Sequence, residues 1–239
     1  MSRKKRLSGG RGSMKLSYVS RAVRYIRARW FFLLDMPEGN SFEDKGAAAL
    51  KGRVVVKRGT GNTVTIGRGT RFDGSIEIQG TRNTVVIGEN CHFRGKIVVK
   101  DHGQTVVFGD HSTSNSVYIL CQEGASVRIG RWCMLSRDIE IRTTDAHSVI
   151  DRQTGKRLNT PASVTIGDHV WVGVGAVINK GSSIASDSIV GAMAFVNAAF
   201  DEEGVVIVGV PARIAKRGVT WNRSRKKVFS AAEMNAWRE

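Results

Sequence analysis

The chain has 239 residues, 41% of them hydrophobic, which suits one domain with a substantial core plus appendages. A net charge of +16 points to anionic partners, and no apolar run approaches the length of a membrane-spanning helix. The three cysteines, Cys91, Cys121 and Cys133, are odd in number and lack CxxC spacing, which excludes a disulfide framework and reads as reduced thiols in the cytoplasm.

Residues 1–13 (MSRKKRLSGGRGS) read as a disordered basic arm, rich in charge, Gly and Ser. Residues 14–35 read as a helix, with Leu16, Val19, Val23, Ile26, Trp30 and Leu34 on one side and arginines on the other; with the linker after it the segment spans 14–50. Two uses stay open for that helix: a cap over the open end of the structure that follows, or a basic amphipathic surface resting on an anionic membrane or polymer. Nucleic acid is set aside because no binding motif accompanies the charge. The run Trp30–Leu34 is too short for a secretory signal and has no small-residue cleavage site.

From about residue 52 the chain repeats. Thr63-Val-Thr-Ile-Gly67, Thr84-Val-Val-Ile-Gly88, Thr105-Val-Val-Phe-Gly109 and Ser126-Val-Arg-Ile-Gly130 follow one another at 21 residues, preceded by Gly61-Asn62, Arg82-Asn83 and Gly103-Gln104. Further on, Ile166, Val172, Ile178, Ile184, Val190 and Val196 fall at intervals of six. A helix wants apolar residues every three or four positions and a strand every second one. A period of six with Gly at the turns is the sign of a parallel β-helix, in which each short side carries one inward aliphatic. A 21-residue coil is then three sides of six plus three residues at one corner, and Ile166 to Ile184 is a plain coil of 18.

Between Ile129 and Ile166 the spacing jumps to 37, so an insertion of about residues 142–162 interrupts one coil. Insertions in repeat folds emerge as loops on one face, commonly the binding face. The β-helix is expected over residues 51–200, and 201–239 as a C-terminal segment with a short helical tail.

Within this frame lie Asp145-Ala-His147, Asp168-His-Val-Trp171-Val-Gly173 and Gly209-Val-Pro-Ala-Arg213. Together with the period of six they resemble the hexapeptide-repeat acyltransferases, over about residues 60–217. The run Glu140-Ile-Arg-Thr-Thr-Asp-Ala-His147-Ser looks most like bacterial capsule and polysialic acid O-acetyltransferases. The resemblance implies an all-β, left-handed parallel β-helix assembled as a homotrimer that takes acetyl from acetyl-CoA. It makes His147 the general base that draws a proton from a sugar hydroxyl, a task suited to an imidazole titrating near neutral pH. The plain alternative is a solvated surface histidine.

Asp145 is a candidate to orient His147 or to bind the acceptor, with an ordinary turn-forming Asp as the alternative, and Arg142 is a second candidate acceptor contact. Trp171 either packs structurally or presents its indole to the acceptor and the developing oxyanion. Backbone near Gly173, Val174 and Ala192 is implied to hold pantetheine, where small residues let a ligand approach the main chain. Arg213 and Lys216 are implied to meet the CoA phosphates; a merely basic tail is the alternative. The chain departs from many relatives in having Asn197-Ala198 where they have Thr-Lys.

No metal is expected. His92, His102 and His147 share no coil position, and His111 and His169, which do, are separated by the insertion coil. The reading is therefore a cytoplasmic O-acetyltransferase, at most peripheral to the inner membrane, acting on an anionic surface polysaccharide or its sugar precursor. An N-acetyltransferase of a nucleotide-linked amino sugar and a non-catalytic scaffold for anionic polymers remain as alternatives.

Overall fold

In the computed structural model the described residues are 14–16, 23–27 and 30–238, with 14–16, 23–27 and Trp30 described as backbone alone. The period of six folds as a three-sided parallel solenoid. One face is a ladder of eight parallel strands, Ser41–Asp44, Thr63–Ile66, Thr84–Ile87, Thr105–Phe108, Val127–Ile129, Val164–Ile166, Ser183–Ile184 and Ala199–Phe200. The second face includes Thr113–Ser114, Met134–Leu135, Trp171–Val172, Ile189–Val190 and Val206–Gly209. The third includes Val117–Cys121, Ile139–Arg142, Val177–Ile178 and Phe195–Val196. In the early coils the strands Arg71–Thr81 and His92–His102 bend round a corner and serve both of the latter faces.

Each inward aliphatic stacks on its counterpart one coil on. Ile129, Ile166 and Ile184 are about 1% exposed, and Val172, Ile178, Val190 and Val196 are fully buried. Burial of each contributes about 1.5–3 kcal/mol. The longer early coils enclose more space, and phenylalanines fill it: Phe72 stacks on Phe93 at 5.5 Å, and Phe93 meets Phe108 edge-on at 5.4 Å.

The extra residues of those coils form the third-to-first corner. There Asn62 donates to Asn40 Oδ1 at 2.7 Å and Asn83 donates to Asn62 Oδ1 at 3.0 Å, a buried amide ladder running along the solenoid. Gln104 occupies the next rung, and neither polar atom of its buried amide has a partner.

The N-terminal helix expected at 14–35 is not what forms. Met14–Leu16, Val23–Arg27 and Trp30–Asp35 are strands; the second and third pair antiparallel, and Trp30–Asp35 joins the parallel ladder against Ala49–Arg58. The reason is an alternation hidden within a sequence that also satisfies a helical spacing: Phe32 is 2% exposed while Phe31 is 58% exposed. An open sheet edge also supplies unpaired N–H and C=O groups that a strand satisfies and a helix does not. Parallel pairing thus begins about one coil before residue 51. The expected arm at 1–13 lies outside the described residues.

At the other end Val206–Gly209 turns through Val210 and Pro211 into the antiparallel strand Ala212–Lys216. Beyond it, Ser230 caps a short helix, Ala231–Asn235, with its hydroxyl on the Glu233 N–H and the Glu233 carboxylate on the Ser230 N–H; a 3-10 turn, Ala236–Arg238, follows. Among the described residues no helix is long and apolar enough to cross a membrane.

Candidate active site

The insertion leaves the third-to-first edge after Arg142 and returns at Val164. Its neck is closed by Ala162 N–H donating to Thr143 O at 3.0 Å. Two groups of contacts hold it against the solenoid. The first centres on Glu123, from the coil before, which takes an ion pair from Arg157 and a 2.6 Å hydrogen bond from the Thr144 hydroxyl. Arg157 and Thr144 hold the Glu123 carboxyl down at about 2.

The second centres on Asp145, which accepts from Lys180 Nζ at 2.7 Å and from Asn159 Nδ2 at 2.7 Å. Lys180 and Asn159 keep its carboxyl below the usual carboxylate range. Asn159 Nδ2 also donates to His147 O at 2.8 Å, and its Oδ1 accepts from Val149 N–H at 2.7 Å. Asp145 therefore faces Lys180 and Asn159 rather than the His147 ring. The ring itself is exposed and has no hydrogen-bond partner among the described residues. A fixed backbone thus carries a free imidazole. Arg142 points outward on the third face, ion-paired with Glu140, and its Nε is buried without a partner.

The other expected residues lie on a different edge. At the second-to-third corner Gly173 sits so close to the coil below that a Cβ there would lie 2.6 Å from Ala192 N. Beneath, Gly191 abuts Val208, which pairs with Arg213. Gly173, Val174, Ala192 and Arg213 therefore form one column, with exposed Met193 (68%) and Val210 (73%) giving it an apolar surface. Lys216 lies at the opposite end of its strand, across from Val206 in the outward row below Trp171 and Ile189. Trp171 projects outward from the second face and is 37% exposed. A shallow groove lined by Lys96, Ser116, Tyr118, Asp138 and Glu140 crosses the third face, which separates the two edges.

Sequence reasoning missed the partners. Lys180, Asn159, Glu123 and Arg157 carry no motif, and they are found only once the coils are stacked. It also missed the C-terminal packing: Trp221 and Trp237 both stack on His169, at 4.3 and 4.8 Å, and burial lowers the His169 imidazole despite Asp187 beside it. The three thiols are free and buried, and burial raises Cys91 to about 11 and Cys121 and Cys133 to about 12. Among the described residues no group of three or more His, Cys, Asp or Glu side chains is placed to hold a metal ion.

No family model matches the sequence. Over 112 residues the chain is 31% identical to a polysialic acid O-acetyltransferase of Neisseria meningitidis; the match takes in 47% of this chain and 52% of that protein, so the chain spans about half the length of that relative. The solved polySia-specific acetyltransferase NeuO superposes with a TM-score of 0.75 at 29% identity, over 83% of this chain and 85% of that one. The polysialic acid O-acetyltransferase OatWY gives 0.71 at 26% identity, over 85% and 94%. Sequence and fold alike relate the chain to the hexapeptide-repeat, left-handed β-helix acyltransferases, and to the polysialic acid O-acetyltransferases among them.

Proposed function

We propose that the chain is an acetyl-CoA-dependent O-acetyltransferase acting on an anionic bacterial surface polysaccharide, such as a sialic-acid polymer, or on its sugar precursor. The observation that carries this reading is the exposed, unpartnered imidazole of His147 on an anchored loop. Around it the supporting features agree: a column of small residues ending in Arg213, a net charge of +16 suited to a polyanion, and relatives named for polysialic acid O-acetylation.

His147 takes the proton of an acceptor hydroxyl as its oxygen attacks the acetyl thioester carbonyl. The resulting oxyanion is met by the Trp171 indole N–H or by main-chain N–H groups near Gly173. The C–S bond then breaks, acetyl stays on the sugar oxygen, and the imidazolium returns the proton to the departing CoA thiolate. Pantetheine lies along Gly173, Val174 and Ala192, with Arg213 and Lys216 on the phosphates. Transfer is direct: the three thiols are buried and far from ionising at neutral pH, so none serves as a nucleophile.

His147 and the Gly173 column occupy different edges of one prism, and a homotrimer brings the edge of one subunit to the other edge of its neighbour. The unpaired thiols suit the cytoplasm. Incubation with acetyl-CoA and a sialic-acid polymer is expected to release CoA and leave an acetyl ester visible by NMR. His147→Ala is expected to lower kcat at least 100-fold. An amide product, or full activity in that variant, overturns the reading.

A further inference from the structure

An end cap would stay on the last coil, but the C-terminal segment does not. From Lys216 it climbs back along the second face, against the direction in which the coils are laid down. Thr220 donates its hydroxyl to Asp187 Oδ1 at 2.6 Å, and Trp221 Nε1 donates to His169 O at 2.7 Å. Arg223 reaches Cys133 O at 3.1 Å, one rung above Trp171 in the chain's ladder of coils, and Thr113 Oγ1 at 2.9 Å, two rungs above it. The segment then returns, and Trp237 stacks on His169 at 4.8 Å. The two indoles lie within 9° of the imidazole plane, and two such rings cannot share one side of it, so His169 is held between them.

Trp171 begins its strand two residues after His169. Its ring centroid is 6.1 Å from that of Trp221 at a 45° tilt, within the range of productive aromatic pairs. Trp221 is 7% exposed and bonded to the backbone just before Trp171. An outward side chain on a two-residue strand has few neighbours of its own: only Met134 and Ile189 flank Trp171 in the ladder.

We propose that residues 220–238 are a positioning strap, in which Trp221 sets the orientation of the Trp171 indole for acetyl transfer. The proposal rests on the reading of Trp171 as a residue of the active site. Trp221 itself touches no reacting atom; it acts through Trp171, and its effect is on the chemical step rather than on donor binding.

The test uses the full chain labelled with 5-fluorotryptophan. Its five tryptophans give five 19F lines, each assigned by a single Trp→Phe change. Trp221→Phe is expected to shift or broaden the Trp171 line. It is also expected to lower kcat about tenfold, with the KM for acetyl-CoA within about twofold, since small misplacements of a reacting group cost this much or more. In a Trp171→Phe background the same change is expected to have no further effect on kcat. Arg223→Gln, which loosens the strap at Cys133 and leaves both indoles in place, is expected to act in the same direction more weakly, which guards against misfolding of the Trp221 variant. An unmoved Trp171 line, or an equal loss of kcat in both backgrounds, overturns the strap. A Trp171→Phe enzyme as active as the parent, with the line still moving, instead removes Trp171 from the site and leaves the contact purely structural.

Discussion

Asn159 is the residue on which the loop's order turns, and Asn159→Ala measures how much. Its side chain makes four hydrogen bonds: to Asp145, to His147 O, from Val149 N–H and from Arg157 Nε. These are partly exposed groups, so about 0.5–1 kcal/mol net for each is appropriate, and about 2–4 kcal/mol for the set. That corresponds to a rise of roughly 30- to 700-fold in the open fraction of the loop. Amide hydrogen exchange reads it. The Val149 amide speeds up trivially, because its own acceptor is gone. The informative amides are Leu158, which donates to Val149 O at 2.8 Å, and Asp151, which donates to Lys156 O at 2.8 Å, since both keep their acceptors in the variant. If the loop opens as a unit, both accelerate by the same factor, while amides of the strand Val164–Ile166 do not. The melting temperature stays within about 2 °C, because no solenoid contact is removed. On the proposed function kcat falls and the KM for acetyl-CoA holds, the donor column being on another edge. Acceleration confined to Val149 would refute the reasoning.

Three more outcomes follow from the same geometry. Glu123 is held near 2 in the fold, below the ordinary carboxylate value, so the stability it contributes is complete above about pH 4.3 and is lost as pH falls toward 2. The melting-temperature gap between the parent and Glu123→Gln is therefore expected to be constant above pH 5 and to close on acidification; a gap that widens in acid contradicts the assignment. In the amide ladder, Asn83→Leu strands the Asp101 carbonyl and the Gln104 N–H and is expected to cost about 2–4 kcal/mol, seen as a melting temperature about 5–10 °C lower. Gln104→Leu removes an amide that has no partner, and its melting temperature is expected to equal or exceed the parent's. Finally, Gly173→Ala drives a methyl into the Ala192 backbone and is expected to lower stability by about 1–3 kcal/mol, with acetyl-CoA affinity lost alongside in calorimetry.

The features legible in the sequence are those that stacking forces to repeat. Ile166, Val172 and Ile178 recur at six because each must meet its counterpart one coil on, so the period reports the core directly. The recurrence of Asn62 and Asn83 was visible for the same reason, although its meaning as a buried ladder needed the hydrogen bonds. The helix expected at 14–35 failed because Trp30 and Leu34, four apart on the helical stripe, also satisfy with Phe32 a period of two over so short a run. The unpaired edge of Ala49–Arg58 then decided between them, and an edge is not a local property of residues 30–35. His147 was legible through the break in period that surrounds it. Its supports were not: Glu123 and Arg157 are 34 residues apart, and Lys180 and Asp145 are 35 apart.

Such pairs join neighbouring coils across an insertion, where the repeat that would have aligned them is interrupted. The same holds for Trp221, which reaches His169 from 52 residues away on a segment that no longer repeats. A solenoid therefore displays its scaffold in its sequence and conceals whatever is attached to it. In this chain the candidate chemistry sits where the attachments meet the scaffold. A substitution at Asn159 should accordingly alter function while leaving the inward aliphatic columns, and the melting transition they govern, nearly as they were.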